Sequence, residues 1–341
     1  MLDVKNTVAE LADCVGVSGG EGSAAEAAMR LLSPYVDECF IRNGNVVGRL
    51  GSGEKRILID AHIDQIGFIV TNITDGGFIK VGNVGGIDRR LLLAQQVVIH
   101  GKSDVMGIIC TIPPHLSKDE SSVPEIDDIY IDTGYSNEKL REIVTIGDLI
   151  SFSGKCIPLL GNRLTGHSLD DRCGVAALIH AASILHEDKI SPNNCSVYFM
   201  FSVQEEIGER GAHFGAFDID PDIAVAVDVS FGLTSGEKPE HCGELGKGPM
   251  IGISPSLSRR LSNLFIDIAK RKNIPYQLEV MNRLTGTNAD QFSVNRGGCE
   301  AVTVSVPLKY MHTPVEVIDC SDVENTGILL AEFIKEVSGN G

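Results

Sequence analysis

Apolar residues recur at helical spacing from about Thr7 to Leu32, interrupted by the turn Gly16-Val17-Ser18-Gly19-Gly20. That pattern predicts two helices, the second following Ser23. Short β-type runs come next, CFIR from Cys39, NVVGRLG from Asn45 and RILIDAHID from Arg56, separated by Gly and Asn turns. The stretch from Ile57 to Ile63 is apolar on both faces, as a central buried strand should be. From Gly67 to Gly161 the pattern changes to closely spaced short strands: FIVTNI, GFIKV, QQVVIHG, VMGIIC, DIYIDT and DLISFSG. Glycines and a Pro-, Ser- and Asp-rich loop from Pro113 to Asp128 break them up, and helical periodicity is confined to Asn137–Val144. A small antiparallel barrel or sandwich fits that spacing.

Beyond Gly166 the long helices return. Asp171–His186 reads as a helix, SVYFMFSV and DIAVAVDVS as buried strands, and Ser254–Lys272 as a helix opening with Pro255. YQLEVM and CEAVTVSVPL follow as strands, and Ser321–Val337 closes the pattern as an amphipathic helix with Ser321 as its N-cap. Alternating strands and helices predict an α/β layer structure. The simplest architecture is an α/β/α sandwich over 1–66 and 162–341, split in sequence by an inserted all-β barrel over 67–161.

Composition adds limits rather than detail. The 341 residues exceed what one compact core usually fills. Hydrophobic residues at 43% and charged residues at 22% suit a soluble globular protein, with no apolar run long enough for a membrane helix. The acidic opening MLDVKNTVAELADCVGV lacks the basic and apolar regions of a signal peptide. A net charge of −17 repels polyanions, which argues against nucleic acid, and it permits divalent cations. Nine scattered cysteines with no CxxC predict buried thiols in a reducing compartment, so the expected location is the cytoplasm.

Metal-ligand residue types gather at predicted strand ends, where open α/β sheets place their sites. The segments are Asp60-Ala61-His62-Ile63-Asp64, Leu169-Asp170-Asp171-Arg172, Gln204-Glu205-Glu206-Ile207-Gly208, Val227-Asp228-Val229 and Tyr310-Met311-His312-Thr313-Pro314. Taken singly, each has an ordinary reading: a helix cap, a solvated acidic pair, a surface His–Asp pair. Asp228 is harder to dismiss, because it ends the apolar run AVAV, where an unpaired carboxylate is expensive. Two His and three carboxylates are what a two-ion site needs, and imidazole with carboxylate suits zinc, cobalt or manganese better than calcium. His62 and Asp64 share a strand face, so Asp64 is placed to fix the imidazole tautomer. Of the adjacent Glu205 and Glu206, one can ligate while the other stays free to move a proton.

The segments GVSGGEG, DAHIDQIGFIV, LTGHSLDDRCGVAAL, SVQEEIGERGA, AVDVS, GELGKGPMI and KYMHTPVEVID span nearly the whole chain. Their order and sequence resemble the dinuclear metallopeptidase family of glutamyl, deblocking and tetrahedral aminopeptidases. The resemblance implies two divalent ions, zinc or cobalt first, with Asp170 between them. It implies that His62 and Asp228 complete one ion, Glu206 and His312 the other. Glu205 becomes the general base, Asp64 the residue that orients His62, and Asp171 a neighbour of the bridge. The implied substrates are peptides, and the implied partner is the chain itself, in dimers that build a tetrahedral dodecamer through the inserted barrel. Two departures stand out: Gln65 replaces an acid after HxD, and Asn288 replaces the Asp of a Gly-Thr-Asp-Ala segment near the substrate pocket. Specificity is where those changes are expected to tell.

Two other readings compete. Members of the family have carried endoglucanase labels, but a glycosidase needs carboxylates facing each other across a sugar, which adjacent Glu205 and Glu206 cannot easily supply. Trp is absent and aromatic residues are only 5%, which is poor for stacking on a polysaccharide. A catalytically silent metal-binding assembly protein would need a missing ligand or base, and none is missing.

Overall fold

The run from Ile57 to Ile63, apolar on both faces, leads through the middle of an eight-stranded sheet. The computed structural model describes residues 2–116, 123–192 and 194–339, so 117–122 of the Pro113 to Asp128 loop lie outside the described residues. In chain order the elements begin with α1 (Val4–Ala12), α2 (Gly22–Leu32), β1 (Glu38–Arg42), β2 (Asn45–Gly51) and β3 (Lys55–His62). Then come β4 (Gly67–Ile73), β5 (Ile79–Val84), β6 (Gln96–His100), β7 (Asp104–Cys110), β8 (Tyr130–Asp132), α3 (Asn137–Ile143) and β9 (Leu149–Phe152). Next are β10 (Ile157–Pro158), β11 (Arg163–Gly166), α4 (Leu169–Glu187), β12 (Cys195–Ser202), α5 (Arg210–Ile219), β13 (Ile223–Phe231) and β14 (Met250–Ile253). The series ends with α6 (Arg259–Lys272), β15 (Gln277–Val280), α7 (Ala289–Ser293), β16 (Glu300–Leu308), β17 (Glu316–Asp319) and α8 (Cys320–Val337).

The large sheet runs β1-β2-β12-β3-β13-β16-β14-β15. Its centre, β12, β3, β13 and β16, is parallel, and β2 and β14 join it antiparallel. A parallel centre must be covered on both faces, and strand alternation provides for both. Ile57, Ile59 and Ala61 share a core with Leu178, Phe265 and Phe333 from α4, α6 and α8. Leu58, Ala224 and Ala226 face the other way, onto Ala212 of α5 and Phe292 of α7. Small residues on that second face let two short helices lie close to the sheet. The result is the α/β/α sandwich the pattern predicts.

Strands β4, β5, β8, β7, β6 and β9 close into a barrel between β3 and β10. It has a core of its own, with Phe68 and Phe152 edge to face at 5.6 Å. Every second residue of β7 points outward, leaving Met106 and Ile108 about half exposed. No described helix is long and apolar enough to cross a membrane.

The starts of α6, α8 and α4 differ from the sequence expectation, the first two for a capping reason and the third for its backbone conformation. The α6 helix begins at Arg259 rather than near Pro255, because the Ser258 hydroxyl caps Leu261. Asp319, not Ser321, caps α8, accepting from the Ser321 amide at 3.1 Å. A carboxylate at a helix N-terminus gains from the dipole as well as the bond. In α4, Asp170 and Asp171 are joined by a cis peptide and lie outside helical φ/ψ, so regular helix starts at Arg172.

Candidate metal centre

Parallel strands start in register at one edge and so end together at the other. His62 ends β3 opposite Ser202 of β12, and Asp228 of β13 lies opposite Ser305 of β16. The turn after β12 carries Glu205 and Glu206, and the turn after β16 carries His312. Four residues around these turns adopt left-handed backbone, Gln204 (φ 59°), Glu209 (φ 54°), Tyr310 (φ 62°) and His312 (φ 60°). Such conformations are costly for residues other than glycine and cluster at functional sites.

The side chains converge on Asp170. His62 Nε2 lies 3.0 Å from Asp170 Oδ1 and 3.8 Å from Asp228 Oδ1. His312 Nε2 lies 3.4 Å from Asp170 Oδ2 and 3.5 Å from Glu206 Oε2. Ligand atoms of His62, Asp170 and Asp228 fall within 4.8 Å of one another, and so do those of Asp170, Glu206 and His312. Asp170 therefore belongs to both groups and offers one oxygen to each. All five residues line a cavity of about 630 Å³, along with Glu205.

Around this centre the electrostatics are those of a cation site. No Lys or Arg is among the described residues lining the cavity. Burial and then the neighbouring charges, Glu205 and Asp170 among them, push Asp228 well above the usual carboxylate range. Burial and the Asp170 charge do the same to Glu206. Glu205 rises to about 7, chiefly by burial, with the Asp64 and Asp170 charges adding to it. Burial opposes the charge on His62, but hydrogen bonds to Asp170 and Asp64 outweigh it and raise the imidazole. Asp170 is also buried, yet hydrogen bonds from His312 and His62 hold it below its ordinary value. Buried carboxylates facing one another with two imidazoles form a donor set that divalent ions fit: N and O ligands, excess negative charge and an open cavity.

Two buried carboxylates hold the backbone of this site. Asp64 accepts from the Glu205 amide at 2.9 Å, the Glu206 amide at 3.2 Å and the Ser18 hydroxyl at 2.5 Å. Its backbone carbonyl lies 3.2 Å from His62 Nδ1, and its carboxylate 3.5 Å. Asp64 thus touches the His62 ring and also fastens the turn that carries Glu205. Glu316 is its counterpart across the site. It accepts from the Leu169 and Asp170 amides at 2.8 and 3.1 Å and from the His312 amide at 3.1 Å. Sequence reasoning passed over Glu316. A signal was available: an acid four residues after His312, inside the segment KYMHTPVEVID.

The two departures lie beneath the cavity rather than in it. Asn288 is buried and donates to Asp60 at 2.7 Å and Ser202 at 2.8 Å. Gln65 is buried against Arg172, whose guanidinium also donates to the carbonyls of Ile63, Leu11 and Cys14. Asp171 is buried, accepts from the Gly174 amide at 3.1 Å and belongs to neither group of converging ligand atoms.

Residues 44–329 match the model of the M42 glutamyl aminopeptidase family. The chain belongs to that family. Lysyl aminopeptidase of Pyrococcus furiosus is 34% identical over 94% of each chain. A TET aminopeptidase from a marine-sediment Thaumarchaeota archaeon superposes with a TM-score of 0.92 at 32% identity, over 98% of this chain and 96% of that one. The TET1 peptidase of Pyrococcus horikoshii, which can assemble into a tetrahedron or a large octahedral shell, gives 0.86 at 34% identity, over 97% and 99%. Membership supports peptide hydrolysis as the activity, in a family of metal-dependent peptidases.

Proposed function

We propose that the protein is an aminopeptidase that removes N-terminal residues from peptides with two divalent ions, zinc or cobalt, per chain. The observation that carries this reading is Asp170, whose two oxygens face two separate sets of ligand-type side chains. In this reading His62 and Asp228 would hold one ion, Glu206 and His312 would hold the other, and Asp170 would be shared by both. The bound ions supply Lewis acidity toward the peptide carbonyl and toward water.

The rest falls to the chain's own residues. Glu205 lines the same cavity and, among the described residues, no hydrogen bond engages its carboxylate, so it is free to move protons. It takes a proton from the attacking water and delivers it to the amine of the departing peptide. Asp64 keeps Glu205 in place through its amide and restrains the His62 ring; Glu316 does the same for Asp170 and His312. We read 1–66 with 162–341 as the catalytic unit and 67–161 as an inserted barrel for self-assembly, supported by the outward Met106 and Ile108 of β7. Nine free cysteines agree with a cytoplasmic location.

The deciding experiment uses aminoacyl-p-nitroanilides with chelated and reconstituted protein. EDTA should abolish hydrolysis and Zn²⁺ or Co²⁺ should restore it. Glu205→Gln should keep about two ions per chain and lower kcat by roughly two to four orders of magnitude. Retained activity in that variant removes Glu205 as the base. Cleavage of soluble cellulose with no anilide hydrolysed would replace this reading with a glycosidase.

A further inference from the structure

The cavity extends from the metal centre along the last strands of the sheet to a half-buried acid that the proposed chemistry does not use. β13 carries Asp228 and, two residues on and therefore on the same face, Ser230. The Ser230 hydroxyl donates to Glu279 Oε1, and the Ser305 hydroxyl donates to Glu279 Oε2 at 2.8 Å. Ser305 is the register partner of Asp228, so the Glu279 carboxylate lies over the strand ends next to the metal centre. Each of its oxygens takes one hydroxyl and keeps a free lone pair. Among the described residues no Lys, Arg or His pairs with it. Leu278, Val280 and Met281 give this part of the cavity apolar surface, and Glu240 adds a second acid.

We propose that Glu279 is the specificity-determining residue of this site and that it selects peptides whose first side chain is cationic, lysyl or arginyl. The inference rests on the aminopeptidase reading and deepens it. In that reading the scissile carbonyl and the α-amino group sit at the metal centre. Two residues along β13 cover roughly 6 to 7 Å, a gap that a four-carbon ammonium or a guanidinium side chain spans and a short side chain does not. The apolar wall takes the methylene stem, and the carboxylate takes the head group. An acidic first residue would set its carboxylate against Glu279 and Glu240, with no Lys or Arg lining the cavity to offset them, and is rejected.

The test compares Lys-, Arg-, Leu- and Glu-p-nitroanilides on the metal-reconstituted protein. The wild type should favour Lys and Arg over Leu by about tenfold or more in kcat/KM, with Glu last. Glu279→Gln should lower the Lys-to-Leu ratio by about tenfold, mainly through KM, and Glu279→Asp should recover part of it. A measurement free of variants is competitive inhibition by L-lysine against L-norleucine, whose stems match and whose ends differ by the ammonium; lysine should bind more tightly. Preference for Leu or Glu, an unchanged ratio in Glu279→Gln, or norleucine binding as tightly as lysine overturns the assignment and leaves the aminopeptidase reading intact. Hydrolysis of none of the four removes both.

Discussion

Glu205, half-buried, and Glu316, fully buried, are acids of one site, yet their removal should look different. Glu205 has a free carboxylate, whereas both oxygens of Glu316 are engaged by backbone amides of the segments that bear Asp170 and His312. Glu316→Gln replaces one acceptor by an NH₂ group facing an amide donor, so at least one buried N–H loses its partner, at about 1–3 kcal/mol. We expect lower bound-metal stoichiometry by elemental analysis, and lower stability, where Glu205→Gln keeps both. Full metal content in Glu316→Gln would show that the clamp is dispensable. A second residue-scale expectation concerns Gln65. Arg172 is fully buried, burial lowers it to about 10, and its contacts are three carbonyls and the Gln65 amide oxygen at 3.3 Å. Among the described residues the Gln65 Nε2 has no partner. Gln65→Glu would remove that orphan and supply a charge-assisted partner, so thermal unfolding should show a gain on the order of 1 kcal/mol. A lower Tm would show that the acids nearby, Asp64 and Glu21, outweigh the new pair.

The element scale separates what the sequence could reveal from what it could not. Strand ends were readable where apolar runs stop as the chain leaves the core: His62 ends β3 and the Glu205-Glu206 pair follows β12, whereas Asp228 lies inside β13, three residues before its end. The barrel was readable from strand spacing alone. Caps were not: Ser321 and Asp319 are both good caps, and only the backbone direction decides which carboxylate or hydroxyl meets an amide. Glu316 and the wider role of Asp64 were hidden for the same reason, since their partners are main-chain groups far away in sequence. Asn288 was placed at the pocket by its neighbours, but the fold turns it under the sheet onto Asp60. The turn after β12 is the element most exposed to a test. Gln204 holds φ at 59° immediately before Glu205. Gln204→Val puts a β-branched residue where left-handed backbone costs roughly 1–2 kcal/mol more, and it displaces the proposed base. Stability and kcat should fall together, with Gln204→Gly losing much less of either. Equal kcat in the Val and Gly variants would show that the turn tolerates misplacement.

At the scale of the whole molecule, the acid-rich centre ties folding, protons and metal into one equilibrium. Without ions, Glu206 and Asp228 sit well above the usual carboxylate range and Glu205 at about 7, all three first by burial. An acid raised on folding contributes stability that is full below its unfolded pKa and lost as pH rises through the folded value. For Glu205 that window runs from 4.5 to about 7. His62 and His312 are raised too, since their bonds to Asp170 outweigh burial, and their contribution also fades as pH rises past the unfolded value of 6.5. Asp170 is lowered, so its contribution is lost only on acidification below its unfolded value of 3.8, outside this window. The metal-free protein should therefore lose stability between about pH 5 and pH 8. Ligation requires these same groups without their protons, so binding releases protons and grows tighter with pH. The rise in Tm on adding a fixed excess of Zn²⁺ should consequently be larger at pH 8 than at pH 6. Calorimetry in buffers of different ionisation enthalpy should show net proton release near pH 7. A Tm shift that is flat across pH, with no proton released, would mean that the ions bind somewhere other than the cluster around Asp170.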